Sequence, residues 1–148
     1  MNPFAELTQI LQSSVSPVIV ISSVGLILLS MTNRYGRVID RARSLGATID
    51  RVPAPEAENI KRQIFLLYKR CRQLQLACSL ASLSILFVSL TVVFLFIIQL
   101  FKVEIESLVM LSFILSLLSL ITALILFIQD VAASLKALKL ELHDHLRF

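Results

Sequence analysis

Three long stretches without a charged residue constrain this chain more than any other feature. They cover residues 7–33, 73–101 and 107–129, and they are 27, 29 and 23 residues long. A helix needs roughly 20 apolar residues to cross the hydrocarbon core of a bilayer, which is about 30 Å thick. Each stretch is therefore long enough to span a membrane.

Lipid limits the structure that such a stretch can adopt. Because lipid offers no hydrogen-bond partner to backbone N–H and C=O groups, a spanning segment must be a helix or part of a closed barrel. None of the three stretches alternates apolar and polar residues as barrel strands do. The sequence therefore predicts an all-α membrane protein forming one small domain, residues 1–148, with spans at about residues 14–32, 76–101 and 107–129.

The distribution of basic residues predicts the orientation. The connector 33–75 contains ten basic and four acidic residues, a net charge of +6, and no Lys or Arg precedes Arg34. Segments rich in Lys and Arg stay on the cytoplasmic side during insertion. We therefore expect the N-terminus and the 102–106 turn outside and the connector and C-terminus in the cytoplasm. Because positive charge follows the first apolar stretch, that stretch is predicted to be a retained anchor and not a cleaved signal peptide.

The connector is too regular in its apolar positions to be a loose loop. Apolar residues recur with gaps of 4, 3, 4 and 3 in each half, which is the spacing of a seam on one helix face. The prolines at 53 and 55 interrupt the helix between the two halves. The sequence predicts an antiparallel helical hairpin over residues 33–75, whose seams are Val38, Ala42, Leu45, Ile49 and Val52, and Ile60, Ile64, Leu67, Cys71 and Leu74.

The tail, residues 130–148, has an apolar seam as well. It could be the third helix of a cytoplasmic bundle or an amphipathic helix lying on the membrane surface. The bundle is favoured because the tail is only weakly basic. The seam consists of Val131, Leu135, Leu138, Leu142 and Leu146.

One pair of charges is expected to meet at the inner membrane boundary. Arg34 follows the first charge-free stretch directly, and Asp130 follows the third, so both lie at the same depth. Charges that are partly removed from water tend to be paired. We predict a structural charge pair between Arg34 and Asp130. Arg37 and Arg41, which share the helix face of Arg34, are predicted to contact anionic lipid headgroups.

Small residues mark predicted helix contacts within the spans. Ser112, Ser116, Ser119 and Ala123 form a stripe on the third span, and small residues allow helices to approach closely in lipid. A second set on the second span consists of Cys78, Ser82 and Ser89. Close helix packing is the favoured role of both sets, and a polar pore lining is the alternative.

No pattern of a chemical site is present. Cys71 and Cys78 do not have metal-ligand spacing, and His143 and His145 would point to different sides of a helix. The chain has no Gly-rich phosphate loop and no zinc-type spacing. We therefore expect no enzymatic activity, no cofactor, no metal and no nucleic-acid partner.

Asn33-Arg34, followed by Arg-x-Arg-x-Leu at residues 41–45, is the most distinctive of several segments with a known likeness. These segments resemble a bacterial family of three-span membrane proteins known as domain of unknown function 2721, and the resemblance implies an internal membrane of a bacterial cell. The resemblance implies the three-span fold and no assigned activity; that family typically has Glu where this chain has Asp130. The similar segments are Pro17 to Ile21, Leu28-Leu29, Asn33-Arg34, Arg37, residues 41–45, residues 70–74, residues 129–131 and residues 134–138.

Two functions remain open from the sequence. The favoured one is a non-enzymatic interaction or scaffold module, oligomeric, with a membrane protein or a second copy as its partner. The alternative is a small homo-oligomeric channel or transporter lined by Ser- and Thr-rich helix faces. The first predicts a stoichiometric partner, and the second predicts ion flux.

Overall fold

The computed structural model of the protein describes the backbone of residues 3–101 and 105–145. Side chains are described for residues 15, 18–49, 51–101 and 105–135. Regular structure in these ranges is helical throughout. It comprises α1 (Pro3–Thr48), a 3₁₀ turn (Ile49–Arg51), α2 (Ala54–Phe101) and α3 (Glu106–His145).

The break between α1 and α2 follows from proline chemistry. The residue before Pro53 is restricted to extended backbone, and Val52 has φ −115° and ψ 155°. Pro53 lacks an N–H, but its carbonyl accepts hydrogen bonds from the amides of Glu56 and Ala57, at 3.0 Å each, and so starts α2. Glu56 lies in the first turn, where a carboxylate interacts favourably with the helix dipole.

The third helix continues through the end of the charge-free stretch without a break. It begins after Ile105, whose carbonyl accepts the amides of Leu108 and Val109 at 3.0 and 3.3 Å. Its backbone is helical to His145, so the tail continues span three directly. The predicted tail seam extends into residues 136–148, whose side chains lie outside the described residues. Most of the predicted 102–106 turn lies outside them as well.

All three helices have the length and composition of membrane spans. The candidate spans lie within Val18–Thr48, Ala54–Phe101 and Glu106–Leu135, each of which contains an apolar 18-residue window, with mean hydropathies of 1.5, 2.7 and 2.7 in these windows. Large apolar side chains on these helices point outward, as Leu26 and Leu100 do with 71% and 77% of their surface exposed. An aqueous solvent would disfavour so much exposed apolar surface. The prediction of an all-helical protein with three helices able to cross a membrane is confirmed.

The chain divides into two compact units. The apolar unit comprises Met1–Leu29 and Ser79–Thr122, and the charged unit comprises Ser30–Cys78 and Ala123–Phe148. The buried residues described in the apolar unit are Val24, Ala81, Ser84, Val88, Thr91, Ser112 and Ser116. Those described in the charged unit are Met31, Val38, Leu74, Ala77, Ala123 and Asp130.

Candidate functional site

The charged unit contains a carboxylate that is almost completely removed from solvent. Asp130 on α3 is 1% exposed, and its side chain is 0% exposed. A buried ionised carboxylate is very costly unless charged and hydrogen-bonding partners surround it. The neighbours of Asp130 therefore determine what this region can do.

Two arginines from different helices share this carboxylate. Arg34 on α1 donates from Nε to Oδ2 at 2.8 Å, and Arg70 on α2 donates from Nε to Oδ1 at 3.1 Å. Their side chains are 24% and 28% exposed, so both guanidinium groups are partly in contact with the surroundings. Asp130 thereby links all three helices through one side chain.

Ser134, one turn further along α3, completes the arrangement. Its hydroxyl accepts hydrogen bonds from the Nη2 atoms of both Arg34 and Arg70. It also donates to the backbone carbonyl of Asp130 at 2.8 Å. A hydroxyl has one donor and two acceptor lone pairs, so these three bonds saturate it. We refer to Arg34, Arg70, Asp130 and Ser134 as the arginine–aspartate cluster.

The structure brings Arg34 and Asp130 together and adds partners that the sequence analysis did not assign. Arg70 lies three residues before the second charge-free stretch, which is a depth similar to that of Arg34. That position was the available signal, but Lys69 and Arg72 are close to the same depth. Only the rotation of α2 selects Arg70.

A groove beside the cluster is lined by four arginines. Arg37 and Arg41, both exposed, follow Arg34 at intervals of three and four residues along α1. Neither forms a salt bridge with another side chain among those described. The groove has a volume of about 220 Å³. We call it the arginine groove, and its lining residues are Arg34, Arg37, Val38, Arg41, Leu67 and Arg70.

A larger open groove continues from it. The two share Arg41, Leu67 and Arg70, and the larger one has a volume of about 670 Å³. Its other lining residues are Gln63, Leu66, Lys69, Gln73 and Ala133. The lining described for both grooves contains basic, amide and apolar side chains and no acidic one.

The apolar unit contains pairs of hydroxyl groups instead of charges. Ser84 and Ser116 hydroxyls lie 3.1 Å apart, and those of Thr91 and Ser112 lie 2.8 Å apart. Ser119 donates to the carbonyl of Leu80 at 2.7 Å. These bonds connect α2 with α3, so Ser112, Ser116 and Ser119 of the predicted stripe face α2. Ala123, the last residue of the stripe, is fully buried in the charged unit.

The small residues predicted for the second span lie elsewhere than expected. Ser82 and Ser89 are exposed, and Cys78 is half-buried. The hydroxyl of Ser89 donates to Ile85 of its own helix. The hydroxyls buried on α2 belong to Ser84 and Thr91, so within this chain α2 meets α3 through a face other than that of Ser82 and Ser89.

The described residues contain no metal site. No group of three or more His, Cys, Asp or Glu residues comes together among them. Neither Cys71 nor Cys78 is part of a disulfide bond. The side chains of His143 and His145 lie outside the described residues.

Comparison with known proteins gives a family and no activity. The family described as "Protein of unknown function (DUF2721)" matches residues 14–140, which is most of the chain. The resemblance seen in the sequence is thereby confirmed. No curated protein and no solved structure matches the chain.

Proposed function

We propose that this chain, which belongs to the DUF2721 family, is a non-enzymatic interaction module of an internal bacterial membrane. The proposal is based on the geometry of the chain itself. The module spans the membrane three times, with its N-terminus outside. Its connector, residues 33–75, and its tail lie in the cytoplasm, where the connector presents a surface to a partner protein.

The charge pattern supports this orientation. The connector has a net charge of +6, and an excess of Lys and Arg marks the cytoplasmic side. The arginine–aspartate cluster lies where charge-free segments of all three helices end. Charges at that depth fit a boundary between lipid and water.

The connector is proposed to form a cytoplasmic antiparallel helical hairpin. Its turn corresponds to the break between α1 and α2 at residues 49–53. A cleft between α1 and α2 supports this pairing; it is lined by Ile39, Ala42, Arg43, Ile64, Tyr68 and Cys71. The predicted seams contain three of these six residues, Ala42, Ile64 and Cys71.

One observation carries the proposal of a partner surface. Phe65 and Tyr68 are 67% and 66% exposed, although they lie in the charged connector and outside the charge-free stretches. Exposed aromatic residues surrounded by polar ones are typical of protein interfaces. We call this surface the aromatic patch; it consists of Phe65 and Tyr68 with the exposed basic residues Lys61, Arg62, Lys69 and Arg72.

Charge complementarity selects the kind of partner. Every charged residue of the aromatic patch is basic, so two copies of the patch would repel each other. Like charges facing each other across an interface cost several kcal/mol. We therefore propose a protein segment in which acidic residues flank an apolar anchor that packs against Phe65.

Photo-crosslinking in native membranes tests the aromatic patch. A photoreactive phenylalanine analogue replaces Phe65 in one variant and Asn59 in the control. Asn59 is also exposed on α2 but lies outside the patch. We expect one dominant protein adduct from position 65, absent from position 59 and lost when Arg62→Glu and Arg72→Glu are introduced together.

The identity of the adduct decides between partners. The isolated partner should contain an acidic segment and bind the purified protein at equal stoichiometry, with an affinity that falls as salt increases. Adducts with lipid alone, with a second copy, or equal from both positions would contradict the proposed partner.

The orientation has its own test. Ala54→Cys and Glu104→Cys are made separately in a chain without Cys71 and Cys78. An impermeant thiol reagent applied to intact cells should label position 104 and leave position 54 unlabelled until the membrane is opened. Labelling of position 54 from outside would contradict the cytoplasmic connector.

The alternative, a homo-oligomeric channel or transporter, needs a polar lining. In the apolar unit the hydroxyls of Ser84, Thr91, Ser112 and Ser116 bond to each other and are at most 6% exposed. They stabilise helix packing within one chain and are not available to line a pore. Ion flux from liposomes containing the purified protein would favour the channel instead.

Association of copies is proposed to use the lipid-facing surfaces of the spans, where no charge opposes it. The mass of the purified protein, measured by light scattering in mild detergent and corrected for bound detergent, tests this. A mass of 16.6 kDa, that of a single chain, would contradict it.

A further inference from the structure

We propose that the arginine groove is a binding site for a phosphate group, with a preference for a terminal phosphate monoester. The ligand is either the headgroup of a lipid or a soluble phosphate compound. The site itself rests on the groove alone, and only the choice between the two sources rests on the proposed membrane placement.

The first argument is the preorganisation of two guanidinium groups. Arg34 and Arg70 each use Nε and Nη2 to bind Asp130 and Ser134. A guanidinium has five N–H donors in a fixed planar fork, so each keeps further donors beyond these bonds. Their orientation is fixed before any ligand arrives, and little side-chain entropy is lost on binding.

The second argument is an excess of positive charge. Four arginines line the groove, and Asp130 is the one acid that forms a salt bridge with any of them among the described residues. The four arginines and this one carboxylate together carry a net charge of +3. A phosphate monoester carries about −1.5 to −2 at neutral pH, so it would neutralise more of this excess than a singly charged diester.

The third argument is the type of the charged residues. All four are arginine, although the connector also contains lysine. Arginine binds phosphate through two parallel N–H···O bonds, whereas lysine acts as a point charge. Arg37 and Arg41 are exposed, so they can turn toward a ligand without breaking a bond in the cluster.

The neighbouring groove leaves room for the group that carries the phosphate. It continues from Arg41 and Arg70 and has a volume of about 670 Å³. Gln63 and Gln73 line it, and their amides can both donate to and accept from hydroxyl groups. Leu66, Leu67 and Ala133 line it as well, so a carrier with both hydroxyl and apolar groups fits this lining.

The depth of the groove admits both sources. Arg34 borders the charge-free stretch, and Arg41 lies about 10 Å further along the helix. A headgroup layer extends about 5–8 Å beyond the hydrocarbon core on each side. A lipid phosphate would therefore reach Arg34 and Arg37, and the outer end of the groove remains accessible from water.

The experiment uses the full chain in nanodiscs, and native mass spectrometry counts the bound phosphate compounds. In one arm the discs are phosphatidylcholine with 10% phosphatidic acid, which ends in a monoester. In the second arm phosphatidylglycerol, a diester, replaces phosphatidic acid. In the third arm the discs are phosphatidylcholine alone, with inorganic phosphate or glycerol 3-phosphate added at constant ionic strength.

Two matched double variants test the site. Arg37→Gln with Arg41→Gln removes two charges from the groove and leaves the cluster bonds in place. Arg62→Gln with Arg72→Gln removes two exposed charges from the same connector outside the groove. The first should lower the affinity for the monoester at least 10-fold, and the second should change it less than 2-fold. Arg37→Lys with Arg41→Lys should fall between them, because charge is kept and the fork is lost.

Each outcome supports or overturns the proposal. Saturable 1:1 binding in the first arm alone identifies a lipid headgroup, and such binding in the third arm identifies a soluble phosphate. Equal loss in both Gln variants would show nonspecific charge attraction, and no saturable binding in any arm would leave the groove without this role. Cysteine labelling at positions 54 and 104 is independent of these results, so a wrong orientation and a wrong site can be told apart.

Discussion

The two units of the chain solve the same packing problem with different chemistry. In the apolar unit, polar groups meet between α2 and α3 as neutral hydroxyls, of which Ser84 and Ser116 are the most buried pair. In the charged unit, three helices meet at a single carboxylate with two guanidinium partners. Each unit satisfies its buried polar groups: no buried side-chain nitrogen or oxygen in the described part of the chain lacks a hydrogen-bond partner.

The two chemistries differ in how much stability is lost when one partner is removed. A hydrogen-bonded hydroxyl pair between membrane helices contributes only about 0.6 kcal/mol on average to stability, so its loss costs little. A buried ion cluster is often no more stabilising than apolar residues of the same size, but removing one of its members leaves an uncompensated buried charge. The apolar unit should therefore tolerate substitution, and the charged unit should not.

The largest effect is expected from Asp130→Ala, which leaves two arginines side by side without their counter-ion. Removing one partner of a fully buried pair costs about 3–5 kcal/mol. The loss here should lie at or below the lower end, because each arginine is about a quarter exposed. Thermal unfolding in detergent measures it, with the exposed Asp40→Ala as the matched control. Equal losses from the two variants would remove the distinction between the units.

The two arginines should prove equivalent and coupled. Arg34→Gln and Arg70→Gln each leave Asp130 one partner, so each should lower stability less than Asp130→Ala does. Together they should cost more than the sum of their separate effects, because the carboxylate is then unpaired. Adding Asp130→Asn to the double variant should recover part of the loss. Strictly additive effects in this cycle would show that the residues do not interact.

A smaller effect is expected in the apolar unit. Ser84→Ala removes the hydroxyl that meets Ser116, and the expected loss is about 0.6 kcal/mol. Ser89→Ala is the control, since Ser89 lies on the same helix, is exposed and bonds only within its own helix. A loss from Ser84→Ala as large as that from Asp130→Ala would mean that hydroxyl pairs and charges matter equally.

A comparison of two glycines, in which a gain of stability is expected, reports the solvent of each unit. A Cβ added at Gly25 or at Gly46 meets no atom within 4 Å. In water Gly→Ala within a helix stabilises by about 0.5–1 kcal/mol, because it reduces the freedom of the unfolded chain. In lipid the backbone stays helical before the helices associate, so Gly25→Ala should change stability by far less than Gly46→Ala. Equal gains in thermal unfolding would place both glycines in the same environment.

The presence of three long apolar helices and the break between α1 and α2 could be predicted because their causes are local. The absence of charge over 27, 29 and 23 residues predicts the spans, and Pro53 predicts the break between α1 and α2. These features depend on lipid solubility and on backbone chemistry within a few residues. Long-range packing was not needed to recognise them.

The contact partners could be predicted only in part, because depth and rotation are separate variables. Arg34 and Asp130 follow the ends of two charge-free stretches directly, so their depths were evident from the sequence. Whether Lys69, Arg70 or Arg72 faces the carboxylate depends on the rotation of α2, which is set by packing along its whole length. The rotation of α2 also decides that Ser84 is buried while Ser82 is exposed. The sequence positions of these two serines do not reveal that rotation.

The position of Asp130 in the chain also has a consequence for biosynthesis. It follows Arg34 by 96 residues and Arg70 by 60, and ribosomes add about 5–20 residues per second. Both arginines are therefore incorporated about 3 to 20 s before their counter-ion exists. During that interval their charge can only be neutralised by the surroundings. The cluster is complete once α3, which contains Asp130, has been synthesised and packs against α1 and α2. A chain that stalls before residue 130 thus carries two unmatched cations, a chemical mark of incomplete synthesis.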